Sequence, residues 1–528
     1  MKQLGAVCSV FLVACVAIAL SCDRTGHKEG VYCDVDVDCA GGSTRCDTSL
    51  HLCIALVDGG LDSNEPDQTL LCAPATASVD CVDPAAPICG ATGCRACAGA
   101  ADDASCAARS ASTPRCKPDG TMAGRCVACV PMAPVSDTSE CGAATPICDV
   151  TGSCRACVVH AECGSGLCIH DGALAGRCAP VADVALVDNA GMTGAACMTA
   201  RAARDGQTAA TAYCEIAEAV AASRKYALVR GSAQPYAAIA LTDQDLVVVG
   251  PGQAASPTAR VFTVGVVEVN MTVNTGAHEL VLEGLDLGGD AVMKAVRGAT
   301  CTNNTGSPAN ARPTIRDTRI HDYSQEGVSA TGATVTVSGA TITGTGSGGA
   351  GVSATGGTVT LGRSLLQGNS GGVVLSSGVS YTVENNLIVK NLSAATPGVS
   401  IDGASTGVFR FNTVANNTTG AGRGGIECGA AGTKLIEASI VVGNTVLMGT
   451  QLGAQCTLDG VVTGSDSATA AIMKTPVFVG ANDFHLVPSN AANLDCCVDR
   501  RVTGPTVDFD GSARPKGAAF DIGAHEVE

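Results

Sequence analysis

The residues best equipped for proton transfer lie in one short segment, IRDTRIHDYSQEG, which holds Asp317, Arg319, His321, Asp322 and Glu326. As a strand, the segment would alternate Asp317, Arg319 and His321 onto one face. Such a set could supply the acid and base of a polysaccharide-cleaving site. The same letters also describe the solvated outer face of a strand, and that is the favoured expectation. A second set closes the chain, with Asp508, Asp510, Arg514, Asp521, His525 and Glu526. Asp508 and Asp510 could offer hard oxygen ligands to Ca²⁺. The preferred reading is a terminal fold-back in which Arg514 pairs with a carboxylate and Gly511 and Pro515 shape the turn. A third set is the three CxxC motifs at Cys94/Cys97, Cys126/Cys129 and Cys154/Cys157. Their spacing admits zinc knuckles, redox pairs or structural disulfides.

The elements that must position these residues show in a repeat. One apolar column reads Ile320, Ile342, Leu366, Ile388, Val414, Val441, so the period is 22 to 27 residues. Five residues before each lies another: Ile315, Val337, Leu361, Val383, Phe409, Ile436. A third column is Gly327-Val328, Gly351-Val352, Gly372-Val373, Gly398-Val399 and Gly425-Ile426. Alternation such as TVTVSG is strand-like, and a glycine-rich repeat argues against a helical solenoid. The expected fold is all-β: a right-handed parallel β-helix with an N-terminal capping helix, preceded by small disulfide-rich modules. Roughly ten coils at about 4.8 Å each are expected. Asn369, Asn391, Asn417 and Asn444 follow four of the column residues at a spacing of three. They are read as structural, suited to left-handed turns and to amide stacking between coils.

Composition narrows the function. The chain has 528 residues, 65 Gly, 6 Tyr, 8 Phe and no Trp. Several domains are therefore expected, with thin aliphatic cores. Aromatic platforms for sugars would be scarce, which argues against a carbohydrate-active enzyme. A net charge of −17 without a long basic run excludes nucleic acid as a partner. Thirty cysteines point to an oxidising compartment. Met1-Lys2 followed by an apolar run over residues 4–20 that ends at Cys22 resembles a bacterial lipoprotein signal. Cys22 is then the lipidated residue, with Cys15 the alternative. The expected location is the bacterial cell envelope, lipid-anchored at the outer membrane or cell surface.

Twenty cysteines between Cys33 and Cys178 sort into five sets of four. The first is Cys33, Cys39, Cys46 and Cys53. Next come Cys72, Cys81, Cys89, Cys94, then Cys97, Cys106, Cys116, Cys126. The last two are Cys129, Cys141, Cys148, Cys154 and Cys157, Cys163, Cys168, Cys178. APICGATGCRAC matches TPICDVTGSCRAC, and DGTMAGRC matches DGALAGRC, so the modules are duplicated. Every CxxC then falls at a junction between modules, and disulfides become the favoured reading, with pairing inside each module left open. The spacing resembles Cys-rich repeats of bacterial surface lipoproteins and, more loosely, Dickkopf-type and EGF-like modules, which implies a spacer or protein-binding stalk. The organisation read from the sequence is a signal peptide over 1–21, a tether with the first module over 22–71, and four modules over 72–180. A linker and capping helix follow over 181–224, the β-helix over 225–465 and its C-terminal end over 466–528.

Two stretches carry a further resemblance. DGQTAATAYCEIAEAVAAS followed by ALVRG is similar to the opening of pectin-lyase-like β-helix proteins. DFHL, DFDGSARP and DIGAHE resemble the C-terminal motif of choice-of-anchor Q β-helix proteins. The resemblance covers residues 197–528 and implies a β-helix whose attachment device is here the N-terminal lipid. It also raises a polysaccharide lyase or glycoside hydrolase as an alternative. A lyase would use Ca²⁺ held by Asp with a Lys or Arg base, and no other cofactor is expected. The hydrolase signatures NTD, GHG and RIK are absent. The leading expectation is a non-catalytic surface protein that presents the β-helix to a polysaccharide or protein ligand. Cys197 and Cys214 are expected to pair across the cap, with Thr211 capping its helix. Cys496 and Cys497 are expected to bond elsewhere, with Cys428 or Cys456, and one thiol should stay free.

Overall fold

The structure is a computed structural model that describes residues 44–47, 52–55, 72, 81–90, 93–131, 137–138, 140–252, 265–288, 295–344, 349–420, 424–446, 450–464 and 471–527. Cys15, Cys22, Cys33 and Cys39 lie outside the described residues.

The chain divides into two compact units. The smaller comprises residues up to Cys81 together with Cys89–Arg95. It contains an antiparallel pair, Thr44–Asp47 with Leu52–Ala55, in which Cys46 stands opposite Cys53. Disulfides Cys72–Cys89 and Cys81–Cys94 close its second module. The larger unit holds the other modules and the solenoid. Its modules bond Cys97–Cys116 and Cys106–Cys126, Cys129–Cys148 and Cys141–Cys154, Cys157–Cys168 and Cys163–Cys178. In all four bridged modules the first cysteine joins the third and the second joins the fourth. No CxxC closes on itself, because each belongs half to one module and half to the next. Their buried cores are mostly the cystines themselves, joined by Ile88 in one module and Ile147 in another.

The solenoid is a parallel β-helix of three long sheets. Sheet 1 has eleven described strands, from Val184–Val187 to Cys456–Asp459, and sheets 2 and 3 have eight each. Seven coils contribute to all three sheets. The expected ten overcounts them, because sheet 1 extends past both partners with rungs that belong to incomplete coils. The first of these, Val184–Val187, falls in the stretch read as linker. A strand of four residues is too short to show a period. The three apolar columns stack in register. Ile315 pairs with Val337 and Val337 with Leu361 in sheet 1, and Ile320 with Ile342 and Ile342 with Leu366 in sheet 2. In sheet 3, Val328 pairs with Val352 and Val352 with Val373. The glycine before that valine is required by close packing. A Cβ on Gly425 would stand 2.6 Å from Val441 Cγ1, and one on Gly398 would stand 2.7 Å from Asn417 Nδ2.

Polar ladders run inside the corners. Asn369 Nδ2 donates to Asn391 Oδ1 (3.0 Å), Asn391 to Asn417 (2.8 Å), and Asn417 to Asn444 (2.8 Å). Their left-handed neighbours are the residues just before them, Gly368, Lys390, Asn416 and Gly443. The ladder asparagines themselves do not take the left-handed turn that the sequence suggests for them. Their amides stack between coils and also bond backbone groups of the neighbouring coils, as Asn417 Nδ2 does with Ile388 O at 2.9 Å. A second ladder occupies the corner between sheets 1 and 2, where Asn386 Nδ2 donates to Asn412 Oδ1 (3.0 Å).

The helix Ile216–Ala221 buries Ile216 and Ala219 beside the first rungs. Its N-cap is Glu215, not Thr211, and Glu218 Oε2 accepts from the Cys214 and Glu215 amides at 2.8 and 3.2 Å. Cys197 and Cys214 are joined. Cys428 bonds Cys456, and Cys496 bonds its neighbour Cys497, which corrects the expectation that the vicinal pair bonds elsewhere. Cys428 and Cys456 sit one coil apart, at the same end of the stack, so each already has its partner. Cys301 is the free thiol among the described residues, and burial pushes it up to about 12. It stacks in sheet 3 between Met271 and Ala330 as a core residue.

Candidate functional site

The acid–base candidates sit at the rim of the third complete coil. Asp317 and Asp322 have φ of 51° and 48°, on either side of the sheet 2 strand Arg319–His321. The corner Asp317 occupies is filled in later coils by Gly339, Arg363, Asn385, Phe411 and Ala438, all left-handed. Asp317 is therefore at a turn that needs a residue tolerant of positive φ, a role Asp fills readily. Arg319 and His321 project outward from sheet 2, and both reach Asp286 one coil earlier, at 3.4 and 3.0 Å. His321 Nδ1 is also 2.7 Å from Asp322. Burial alone would lower the imidazole, but the two carboxylates outweigh it and hold His321 above its ordinary value. Glu326 pairs with Arg297 at 2.5 Å. The structure thus gathers His321 with Asp322 but engages Glu326 elsewhere, in ion pairs between adjacent coils.

A second cluster, not seen in the sequence, joins the last Cys-rich module to the outer face of sheet 1. Leu167 and Ala179 of the module pack with Val184, Tyr226 and Val249 of the first rungs. Beside this apolar seam, the 3 %-exposed Glu283 carboxylate meets His170 Nδ1 at 3.1 Å, His160 Nε2 at 3.4 Å and Arg316 Nη2 at 3.0 Å. Arg316 reaches back to Asp171 through two bonds of 3.1 and 2.6 Å. Burial would raise Glu283, but the two histidines and Arg316 outweigh it and hold it well below the usual carboxylate range. The Glu283 hydrogen bond in turn raises His170.

The spacing of His160, His170 and Glu283 would suit a metal ion, but the hydrogen bond at His160 does not. The Cys168 amide donates to His160 Nδ1 at 3.0 Å, so the neutral ring carries its proton on the Nε2 that faces Glu283. The Arg316 charge lies against the same carboxylate. The cluster is a charge clasp. Next to it, a groove of about 1030 Å³ is lined by Val158, Leu228, Arg230, Pro251, Glu283 and Asp317, among others.

The third cluster belongs to the C-terminal fold-back, which covers the outer face of sheet 2. Leu387, Val389, Ala415 and Val442 of the sheet pack with Phe484, Leu486, Phe509 and Ile522. Arg514 and Glu526 pair at 2.9 Å with both side chains fully buried. Arg514 also donates to Gly523 O at 2.8 Å and to the corner residue Asn385 at 3.2 Å. Asp508 is buried and accepts from the amides of Ser512 (2.8 Å) and Glu526 (3.2 Å). Asp521 accepts from those of Asp499 and Val527, and burial lifts it to about 6. Asp508 and Asp510 accordingly do not form one calcium-like pair. Asp510 turns outward to His485 Nε2 at 2.8 Å and faces His525 Nε2 at 3.7 Å. Asp483 accepts from the other nitrogen of His485. The Asp510 and Asp483 bonds outweigh burial and push His485 up to about 9, whereas burial and the nearby His485 push His525 down to about 4.

Residues 298–468 match the family model described as the right handed beta helix region. No curated protein and no solved structure matches the chain. The matched segment holds the last five complete coils, with His321 and Asp322, but not Asp286. It excludes the clasp residues of the last module and the whole C-terminal fold-back. Sequence reading missed the clasp because His160, His170 and Glu283 are separated by up to 123 residues (283 − 160), and no repeat links them. His485 was readable only as one letter of DFHL.

Proposed function

We propose that this chain is an exported, lipid-anchored envelope protein that presents its right-handed β-helix as a non-catalytic binding surface, with polysaccharide as the ligand class. The observation that carries the reading is the outer face of sheet 1. Thr314, Thr336, Thr360 and Thr382 stand in register in one file. Thr334, Thr358, Ser380 and Thr406 form a second file beside it. The hydroxyls recur about 4.8 Å apart from coil to coil and about 7 Å apart along each strand. Each both donates and accepts, which suits the hydroxyl-rich edge of a sugar chain. The last Cys-rich module reaches this sheet as far as the rung of Thr314, where Asp171 holds Arg316, and the C-terminal fold-back packs on sheet 2, so the later members of both files lie beyond these contacts.

The test is retention of the mature, full-length chain on a panel of acidic and neutral polysaccharides, with product formation followed with and without Ca²⁺. Retention that falls at least tenfold in a Thr360→Val, Thr382→Val double variant, without turnover, supports the proposal. The groove beside Glu283 and Asp317 favours a second reading, a lyase or hydrolase. Turnover that disappears in Asp317→Asn or His321→Ala would establish that reading and overturn the first. Anchoring is tested separately: Cys22→Ser should abolish labelling by radioactive palmitate and release the chain from the membrane fraction. Labelling retained in Cys22→Ser and lost in Cys15→Ser would move the lipid to Cys15.

A further inference from the structure

We propose that His485, Asp510 and His525 form a binding site for a divalent transition-metal ion, Zn²⁺ in the first place. The three side chains come from three separate motifs, DFHL, DFDG and GAHE, which the fold-back brings to one point. Four-coordinate zinc holds nitrogen and oxygen ligands about 2.0–2.1 Å away, so at tetrahedral angles its ligand atoms stand about 3.3 Å apart. Asp510 Oδ2 lies 2.8 Å from His485 Nε2 and 3.7 Å from His525 Nε2, values that straddle this separation. The two imidazoles meet edge to face with centroids 4.2 Å apart. Small rotations of the rings and the carboxylate would bring all three ligand atoms to an ion between them.

Two details select a metal over a simple ion pair. First, Asp483 accepts from His485 Nδ1–H. A carboxylate behind a ligating imidazole fixes the tautomer that leaves Nε2 to coordinate, and such outer carboxylates accompany most metal-bound histidines. Second, His525 Nδ1 is buried with no hydrogen-bond partner among the described residues, and its Nε2 stops 3.7 Å from Asp510. With Nδ1 enclosed, Nε2 is the nitrogen of this part-exposed ring that is left for an ion. An ion at Nε2 would satisfy that nitrogen. The side chains are each about one-fifth exposed, so an ion has access, and three protein ligands leave a position for water or for an oxygen of a bound ligand. Imidazole nitrogens with one carboxylate select zinc, nickel or cobalt over calcium, which takes six to eight oxygens. The clasp offers a built-in control, because the Cys168 amide takes His160 Nδ1 and so puts the proton on the Nε2 that faces Glu283.

The experiment uses the untagged full-length protein with its disulfides intact, freed of metal with EDTA and titrated with Zn²⁺ in a calorimeter. Co²⁺ serves as a spectroscopic stand-in. The expected result is one Zn²⁺ per chain and a visible Co²⁺ band of tetrahedral type. His525→Gln and Asp510→Asn should abolish stoichiometric binding, and Asp483→Asn should weaken it about 10- to 100-fold. His170→Gln should leave it unchanged. Melting in EDTA establishes that each variant is folded, and Asp483→Asn, which removes no ligand, keeps the test available if the others are not. A wild-type chain that binds neither ion overturns the proposal. Binding that survives in Asp483→Asn and His525→Gln but vanishes in His170→Gln would do so as well, by assigning the ion to the clasp.

Discussion

The Cys-rich modules and the β-helix stabilise themselves by opposite means. Each of the four bridged modules has two cystines and hardly any aliphatic core, so its stability comes from covalent restriction of the unfolded chain. The β-helix has one continuous core from Ala185 to Val461 and polar ladders that satisfy its corners, and among the described residues of its coils only Cys428–Cys456 is a cross-link. Small units cannot bury enough surface to fold unaided, whereas stacked coils bury each other. The difference teaches that cysteine content marks where the core is missing. The two places where the β-helix meets other segments both set charge beside an apolar seam. They differ in depth: Arg316 and Asp171 of the clasp stay partly exposed, while Arg514 and Glu526 of the fold-back are fully buried.

Reduction should break the comparison most visibly. Loss of both cystines from a module of this size costs about 2–5 kcal/mol per bridge, enough to unfold it. Limited proteolysis in dithiothreitol is expected to cut within residues 81–178 and leave a protected fragment over the regular coils. Equal loss of protection in both regions would mean that the coils depend on the modules. Next in size is the amide ladder. Asn417→Ala removes a group bonded to Asn391, Asn444 and the Ile388 carbonyl. Leaving those buried partners unpaired should cost about 2–4 kcal/mol, read as a lower denaturation midpoint with an unchanged m value.

The clasp should yield a smaller, pH-dependent effect. Glu283 is held below its ordinary 4.5, so its contribution is present above that value and fades as pH falls toward its folded value. His170 is raised above its ordinary 6.5, so its contribution is complete below 6.5 and fades as pH rises through its folded value. Arg316, Asp171 and His160 face the same pair. Stability attributable to the clasp should therefore peak between about pH 4.5 and 6.5, and His170→Gln should flatten that peak, lowering stability there by about 1–3 kcal/mol. Melting temperatures of both proteins from pH 3 to 9 check this, and parallel curves would dismiss the clasp as a pH-dependent contact. Smallest of all, Thr360→Val on the open face of sheet 1 should change stability by less than about 0.5 kcal/mol.

Repetition decided how much was readable. Each coil repeats the same demand on the same column, so Ile320 through Val441 declare sheet 2 and its register without any long-range information. The glycine column likewise reports a close approach that recurs from Gly298 to Gly425. Asp317 misled for a related reason. In one coil it looks like an acid poised on a strand, and only comparison with Gly339, Asn385 and Ala438 exposes the corner it fills. The clasp and the metal site had no such repetition. Each is built once, from residues whose proximity follows from how the outer segments dock, and docking leaves no periodic trace. The vicinal disulfide was misjudged because spacing says nothing about which sulfurs are already taken.

The amide ladder has a direction. Tyr323 donates to Asn369, and every amide from Asn369 to Asn444 then donates to the next coil, until Gln451 accepts from Asn444 and donates to Thr463 O at 3.0 Å. Each coil therefore presents a donor on one side and an acceptor on the other, like a tongue-and-groove board. A coil copied or deleted between Asn391 and Asn417 would meet matching edges above and below. The ladder thus lets a stack change its reach in steps of one coil, while the C-terminal fold-back, seated across Leu387 to Val442, ties the coils beneath it to their present number.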